Sequence, residues 1–329
     1  MESPKVSVII PVFNSEDLLS NCLDSVRSQS LDDIEVICVD DGSIDDSFKI
    51  LNEFSSADSR FKVFQQENAG AGAARNRAIV ESRGEFILFV DSDDTIESET
   101  CERLYEQASR LDCDLVLFNS MRHFPNGRDL NLIHFRKNKD INYQIRVFDY
   151  EYFRDRIFDG EYGVIWNKFY KSSFIKENHI TFPGHKIYND VEFHVKTTLL
   201  AKKISYVDGI FYHYNRQGHS SLQTSFVKTD KAMVFFAVLH GIVDFLVEND
   251  LFDEFREEFV NFTIFELRNK LNSIDDKSKE EFFEKTKEFY YFLELDSDEV
   301  NNIPFEYFMH FIFVVNSNDY SDFIKKRVK

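Results

Sequence analysis

The sequence predicts an α/β protein: a doubly wound, mostly parallel sheet with helices on both faces, followed by a C-terminal helical appendage. Three observations predict it. Through the first third, short runs rich in Val, Ile and Phe alternate with segments of helical apolar period. The polar clusters of that third, Asn14, Asp41 and Asp91 to Asp94, follow directly on apolar runs, where parallel strands present their ligand-binding ends. From Phe226 onward the pattern turns helical, with acidic faces.

In order, Val6 to Phe13 is almost continuously apolar and β-branched, the pattern of a strand buried on both faces. Glu16 to Ser28 has apolar residues at Leu18, Leu19, Cys22, Leu23 and Val26, a helical period. Ile34 to Val39 reads as the second strand, Ser47 to Phe54 as a helix, Phe61 to Phe64 as a third strand and Ala73 to Ser82 as a helix. Phe86 to Val90 is the central apolar strand, followed by a helix through Glu99 to Arg110 and a strand over Asp114 to Phe118. Right-handed crossovers then predict parallel pairing. The rhythm breaks over roughly Ser120 to Gln223. Helical spacing returns at Met233 to Glu248, Phe252 to Asn272 and Lys277 to Leu293. The expected organisation is 1–120 and 121–224 as two halves of one domain, with 225–329 as the helical region.

Composition narrows the function. With 329 residues, 43% hydrophobic content and 36 Phe, the chain can fill a large core. Its formal net charge of -19 argues against nucleic-acid partners, which need clustered Lys and Arg. An anionic nucleotide remains compatible, because a bound cation inverts the local field. Cys22, Cys38, Cys101 and Cys113 form no CxxC pair and read as small buried residues in a reducing cytosol. Met1 to Lys5 leads straight into a strand, predicting no signal peptide, and apolar runs such as Phe308 to Val315 are too short to span a bilayer. The expected location is cytoplasmic, with the inner face of the membrane as an alternative.

Asp91, Asp93 and Asp94 place three carboxylates within four residues. Crowded carboxylates need a counter-charge, usually a hard cation. Asp91 and Asp93, two apart on an extended turn, suit Mg2+ or Mn2+ held by one or two carboxylates, with water and a diphosphate completing the shell. The alternative is a solvated Asp-rich turn capping the next helix. Gly70-Ala71-Gly72 is no dinucleotide fingerprint, since Arg75 stands where the third glycine belongs and the motif follows the third strand. No Walker loop occurs either. A nucleotide site without a glycine cradle remains: Asp41 accepting from a base or ribose hydroxyl, Phe13 against the base ring. Against these stand core packing for Phe13 and turn or helix capping through Gly42-Ser43 for Asp41.

Four ordered motifs resemble family 2 glycosyltransferases: Pro11-Val12-Phe13-Asn14, Val39-Asp40-Asp41-Gly42-Ser43, Asn68-Ala69-Gly70 through Ala74-Arg75-Asn76-Arg77, and Phe89-Val90-Asp91-Ser92-Asp93-Asp94. The resemblance implies a GT-A fold and inversion at the anomeric carbon. It implies a nucleotide-sugar site including Pro11, Phe13, Asn14, Asp41, Arg75, Asp91 and Ser92, and a DxD metal motif in which Asp93 leads and Asp91 assists. Arg75 has a second reading as a structural arginine near a helix N-terminus.

Further along, Trp166-Asn167-Lys168, Ile180-Thr181-Phe182 and Asn189-Asp190-Val191-Glu192-Phe193 also follow the family's order. By resemblance Asp190 is the catalytic base, and Phe193 matches the aromatic three residues on. Asn189 departs from the usual Glu, removing a charge beside the base. Asp190 would equally serve as an N-cap for a helix over Glu192 to Ala201. Trp166 is a candidate sugar platform or plain core; Lys168 is a candidate phosphate partner or a solvated lysine. His213 or His219 would complete a metal shell, and Arg216 would hold a diphosphate.

The expectation is therefore an inverting, Mn2+- or Mg2+-dependent hexosyl- or N-acetylhexosaminyltransferase. Its donor would be a nucleotide-diphosphate sugar, most simply a UDP-sugar. The acceptor would be a glycan, lipid-linked or polymer hydroxyl in cell-surface polysaccharide synthesis. A nucleotidyltransferase lacks its basic glycine-rich loop, and a catalytically silent GT-A subunit that binds glycans or assembles a complex is the rival from another class. For the C-terminal region the plain reading is a packed helical appendage. The sharper ones are a homo-oligomer surface, or peripheral contact with an anionic membrane through Lys325-Lys326-Arg327.

Overall fold

The computed structural model describes residues 3–132, 147–158, 163–215 and 230–327. The chain divides into two compact units, Met1–His219 and Ser220–Lys329.

The first unit is built on one sheet. β1 (Val6–Val12), β2 (Ile34–Asp40), β3 (Phe61–Gln65) and β4 (Phe86–Phe89) pair in parallel in the order β3-β2-β1-β4. Every residue of β1 and β2 is buried, as their mostly apolar character predicts, and the polar exceptions are partnered: Ser7 Oγ donates to Glu35 Oε1 at 2.6 Å and Asp40 accepts from Gln65 Nε2 at 3.0 Å. The connecting helices are α1 (Glu16–Arg27), α2 (Ser47–Ala57) and α3 (Ala71–Glu81). The chain adds β2 and β3 on one side of β1 and then returns to the other side with β4. The carboxyl ends of β1 and β4 therefore flank a topological switch point, where open α/β sheets bind ligands.

Beyond β4 the mostly parallel sheet takes in antiparallel strands. β6 (Leu115–His123) does not lie beside β4; β8 (Lys168–Lys171) is inserted between them, antiparallel to both. β9 (Ile204–Asn215) then runs parallel to β6, and β5 (Thr95–Ile96) and β7 (Asp129–Leu132) form antiparallel edges. β6 crosses the expected 120/121 division as one strand, so both halves share the sheet. Also in this unit are α4 (Thr100–Leu111), α5 (Ser172–Glu177) and α6 (Asn189–Leu200). Phe193 of α6 is fully buried and stacks on Phe182 with centroids 3.9 Å apart, edge-on to Phe89 of β4. These aromatic contacts fix α6 over the end of the central strand.

The second unit contains α7 (Val234–Glu248), α8 (Phe252–Ser273), α9 (Lys279–Phe292), α10 (Ser297–Asn302), α11 (Phe305–Val315) and α12 (Tyr320–Arg327). The first three match the expected helices to within about two residues. Its core is aromatic, with Phe235, Phe255, Phe259, Phe282, Phe283 and Phe323 among the buried side chains. Asp296 opens α10 with a capping box closed by Glu299, and Pro304 precedes α11, where its missing N–H costs nothing. Among the described residues no helix is long and apolar enough to cross a membrane.

Candidate functional site

At the ends of β1 and β2 the chain makes two loops that hold each other. Asn14, at φ +47°, accepts at Oδ1 from the Ile44 N–H at 2.9 Å, and its own N–H donates to Ser43 Oγ at 3.0 Å. Phe13 is 44% exposed beside them, unlike the buried Pro11 two residues earlier, so it is not the core residue that the alternative reading made it. Asp41 is 2% exposed and is not a cap for the Gly42-Ser43 turn; that turn's N–H points to Asp40. Instead the Asp41 carboxylate accepts from Gln66 Nε2 at 2.8 Å, the Ala69 N–H at 2.9 Å and the Gly70 N–H at 2.7 Å. It thereby shapes the loop that launches α3. Gly70 is at φ +94°, and a Cβ there would come within 3.0 Å of Lys186 Cα, so the loop requires glycine.

The acidic turn follows β4. Asp91 and Asp93 are half-buried, whereas Ser92 and Asp94 are buried, with the Ser92 hydroxyl 2.7 Å from Ser15 Oγ. Arg75, 7% exposed on α3, reaches both acidic segments. Its Nη2 donates to Asp91 Oδ1 at 2.6 Å and its Nη1 to Asn189 Oδ1 at 3.2 Å. The guanidinium lies over the Phe182 ring at 5.4 Å, and its Nε has no hydrogen-bond partner among the described residues. Arg75 is thus a bridge between two halves of the site, in the interior of α3.

Asp190 lies in the first turn of α6 rather than ahead of it. The helix opens at Asn189 behind Tyr188 in the left-handed region at φ +57°, so the capping expectation is corrected. Burial raises the Asp190 carboxyl above the usual carboxylate range, the Arg75 charge opposes that shift, and Asp91 adds to it. Asp190 is therefore a carboxyl of raised basicity beside the acidic turn. Glu192, the other acid of this turn, is held by Lys196 at 2.6 Å.

The remaining described candidates sit behind the site rather than lining it openly. Trp166 is 7% exposed and stacks on Tyr212 with centroids 4.5 Å apart and on Tyr214 at 5.7 Å, which makes it a packing element rather than an open sugar platform. Lys168 is 2% exposed rather than solvated. Its ammonium donates to Asn167 Oδ1 at 2.8 Å and to Val164 O, and burial pushes it down to about 7. The ring nitrogens of His213 lie 2.6 Å from Glu97 Oε1 and 2.9 Å from His123 Nε2. His219 and Arg216 lie outside the described residues. The sequence offers Phe182 only within a family-like segment and assigns no role to it or to Tyr212; an aromatic side chain alone carries no signal that separates packing from support of a site.

For a hard cation, the chemistry of the acidic turn fits. Asp91 and Asp93 are partly exposed, and burial, reinforced by the neighbouring Asp93 and Asp91 charges, raises the Asp94 carboxyl well above its usual range. Among the described residues no three His, Cys, Asp or Glu side chains are arranged as a closed metal site. A cation held by one or two carboxylates and a substrate diphosphate needs no such cage.

Fold and site together define a GT-A glycosyltransferase. The structure of S. aureus TarS 1-349 in complex with UDP-GlcNAc superposes with a TM-score of 0.77 at 23% identity, covering 98% of this chain and 89% of that one. Glycosyl transferase family 2 matches residues 7–179, and the chain belongs to that family. It is 36% identical over 269 residues to EpsH of Bacillus subtilis (strain 168), covering 80% of this chain and 75% of that protein. It is 35% identical over 253 residues to a poly(ribitol-phosphate) beta-glucosyltransferase of Bacillus spizizenii, covering 75% of this chain. The chain spans only 37% of that second relative's length. The protein is a glycosyltransferase.

Proposed function

We propose that this glycosyltransferase inverts the anomeric centre of a nucleotide-diphosphate sugar, a UDP-sugar, in transferring it to a hydroxyl of a glycan, lipid-linked or polymer acceptor during cell-surface polysaccharide synthesis. The observation that carries this reading is the Arg75 bridge, which joins Asp91 to the residue preceding Asp190. A donor seated at the acidic turn would lie beside a carboxyl of raised basicity. The poly(ribitol-phosphate) relative and the UDP-GlcNAc complex of TarS support the donor and acceptor classes.

In this reading Phe13 lies against the base and Asp41 fixes the loop around the nucleoside. Asp91 and Asp93 would hold Mn2+ or Mg2+, which when bound supplies Lewis-acid neutralisation of the charge growing on the leaving diphosphate. Asp190 takes the proton from the acceptor hydroxyl as that oxygen attacks from the face opposite the leaving group. Burial favours this, because a carboxylate raised in pKa is a better base near neutral pH. A thermal-shift screen of nucleoside diphosphates with and without Mn2+ tests the donor half. UDP should stabilise the protein in a metal-dependent way, and equal responses with Mn2+ and with chelator would remove the metal from the reading.

A further inference from the structure

The acidic turn has a support that the proposed chemistry does not use. Tyr212, fully buried on β9, places its hydroxyl between two residues of the turn. The Asp91 N–H donates to that oxygen at 3.1 Å, and the hydroxyl donates to Asp94 Oδ2 at 2.7 Å. The other oxygen of Asp94 accepts from the Asn215 N–H at 2.7 Å, three residues along the same strand. Within the turn the Asp94 N–H donates to Asp91 O at 3.1 Å, and that carbonyl also accepts from Cys22 Sγ at 3.4 Å. The Tyr212 ring is itself clamped against Trp166, with centroids 4.5 Å apart and planes 13° apart.

We infer that Tyr212 and Asp94 are positioning residues that fasten the acidic turn to β9 and aim the carboxylates of Asp91 and Asp93. Three acids in four residues repel one another and favour an opened turn. Asp94 spends its oxygens on Tyr212 and Asn215, and so serves as an anchor rather than a ligand. The Tyr212 hydroxyl can bridge the turn because a phenol accepts and donates at once. This assigns a reason for tyrosine at 212: phenylalanine would keep the stack on Trp166 and lose both bonds. It also explains why Trp166 is buried, since the indole orients the phenol.

This inference rests on reading Asp91 and Asp93 as the diphosphate–metal end of the site, and the test separates the two. The affinity of the full chain for UDP is measured by calorimetry with Mn2+ and with chelator, alongside uridine alone. Amide hydrogen exchange is followed over 91–94. Tyr212→Phe should cut the Mn2+-dependent gain in UDP affinity by about tenfold, as expected for hydrogen bonds involving a charged group, and leave uridine binding unchanged. Exchange at 91–94 should speed up while that of β4 stays slow. Asp94→Asn, which keeps an acceptor for the Asn215 N–H but presents an amide N–H to the Tyr212 hydroxyl, should lose about as much of the gain as Tyr212→Phe, short of the abolition expected for Asp93→Asn. Tyr212→Phe with the full gain and unchanged exchange overturns the inference, as does Asp94→Asn behaving like Asp93→Asn. If the wild-type chain shows no Mn2+-dependent gain, the metal reading fails by itself. Exchange at 91–94 in Tyr212→Phe then still decides whether the hydroxyl holds the turn.

Discussion

Arg75 donates to the side chain of Asn189 across 3.2 Å, from the interior of α3 to the opening residue of α6. The same guanidinium holds Asp91 at 2.6 Å, so one buried cation fixes the distance between the acidic turn and the helix that carries Asp190. α3 and α6 approach closely enough that a Cβ on Gly72 would come within 3.1 Å of Asn189 Cβ. Arg75→Met should therefore lower donor affinity and turnover together, since it releases both partners at once. Arg75→Lys should rescue little, because an ammonium cannot reproduce the planar fork. Steady-state kinetics on the two variants check this; near-wild-type transfer by Arg75→Met would remove the bridge from the mechanism.

Asp190→Asn should reduce transfer by about 10²–10⁴-fold while leaving UDP affinity near wild type. Its pH dependence has a defined sign. The folded-state carboxyl is raised, so its contribution to stability is present below the unfolded value and lost as pH rises through the folded one. At neutral pH the wild type carries the cost of a partly buried charge, and Asp190→Asn should melt at or above the wild-type temperature. The acid limb of the wild-type rate profile should lie above the ordinary carboxylate range and vanish in the variant. Single-turnover transfer at the wild-type rate would move the base elsewhere.

Asn189→Glu restores the residue that the family resemblance leads one to expect, and it offers Arg75 a carboxylate in place of a neutral amide. If position 189 only orients its neighbours, the variant should fold and transfer sugar at close to the wild-type rate. A large loss of turnover with unchanged donor affinity would mean that the missing charge tunes Asp190.

Asp41→Ala should weaken donor binding without slowing chemistry at saturation. It should also destabilise the fold by about 1–3 kcal/mol, because it strips the Ala69 and Gly70 amides of their acceptor. Donor titration and urea unfolding measure the two effects separately. Unchanged donor affinity would confine Asp41 to shaping the loop.

Lys168 provides a test in the core. Its pKa is depressed to about 7, so its contribution to stability is present above the ordinary lysine range and is lost as pH falls through that value. Lys168→Met should flatten the dependence of the urea midpoint between about pH 7 and 10. A variant with the wild-type slope would mean that another group titrates there.

The sequence by itself determined the first four strands, their helices and the ends at which the polar residues collect. Local apolar runs and helical periods are properties of adjacent residues, and strand–helix alternation admits few topologies. The same locality made Asp91 to Asp94, Asp41 and Phe13 legible as a site, because each follows its strand directly. Tertiary structure alone decided the rest. Nothing in Lys168 to Lys171 announces a strand inserted antiparallel between β4 and β6, since pairing partners are chosen by register across the sheet. Nor does the sequence announce that Arg75 spans Asp91 and Asn189, or that Tyr212 holds a turn 121 residues before it. Those bonds join residues far apart in the chain, and only packing in three dimensions brings them within hydrogen-bonding reach.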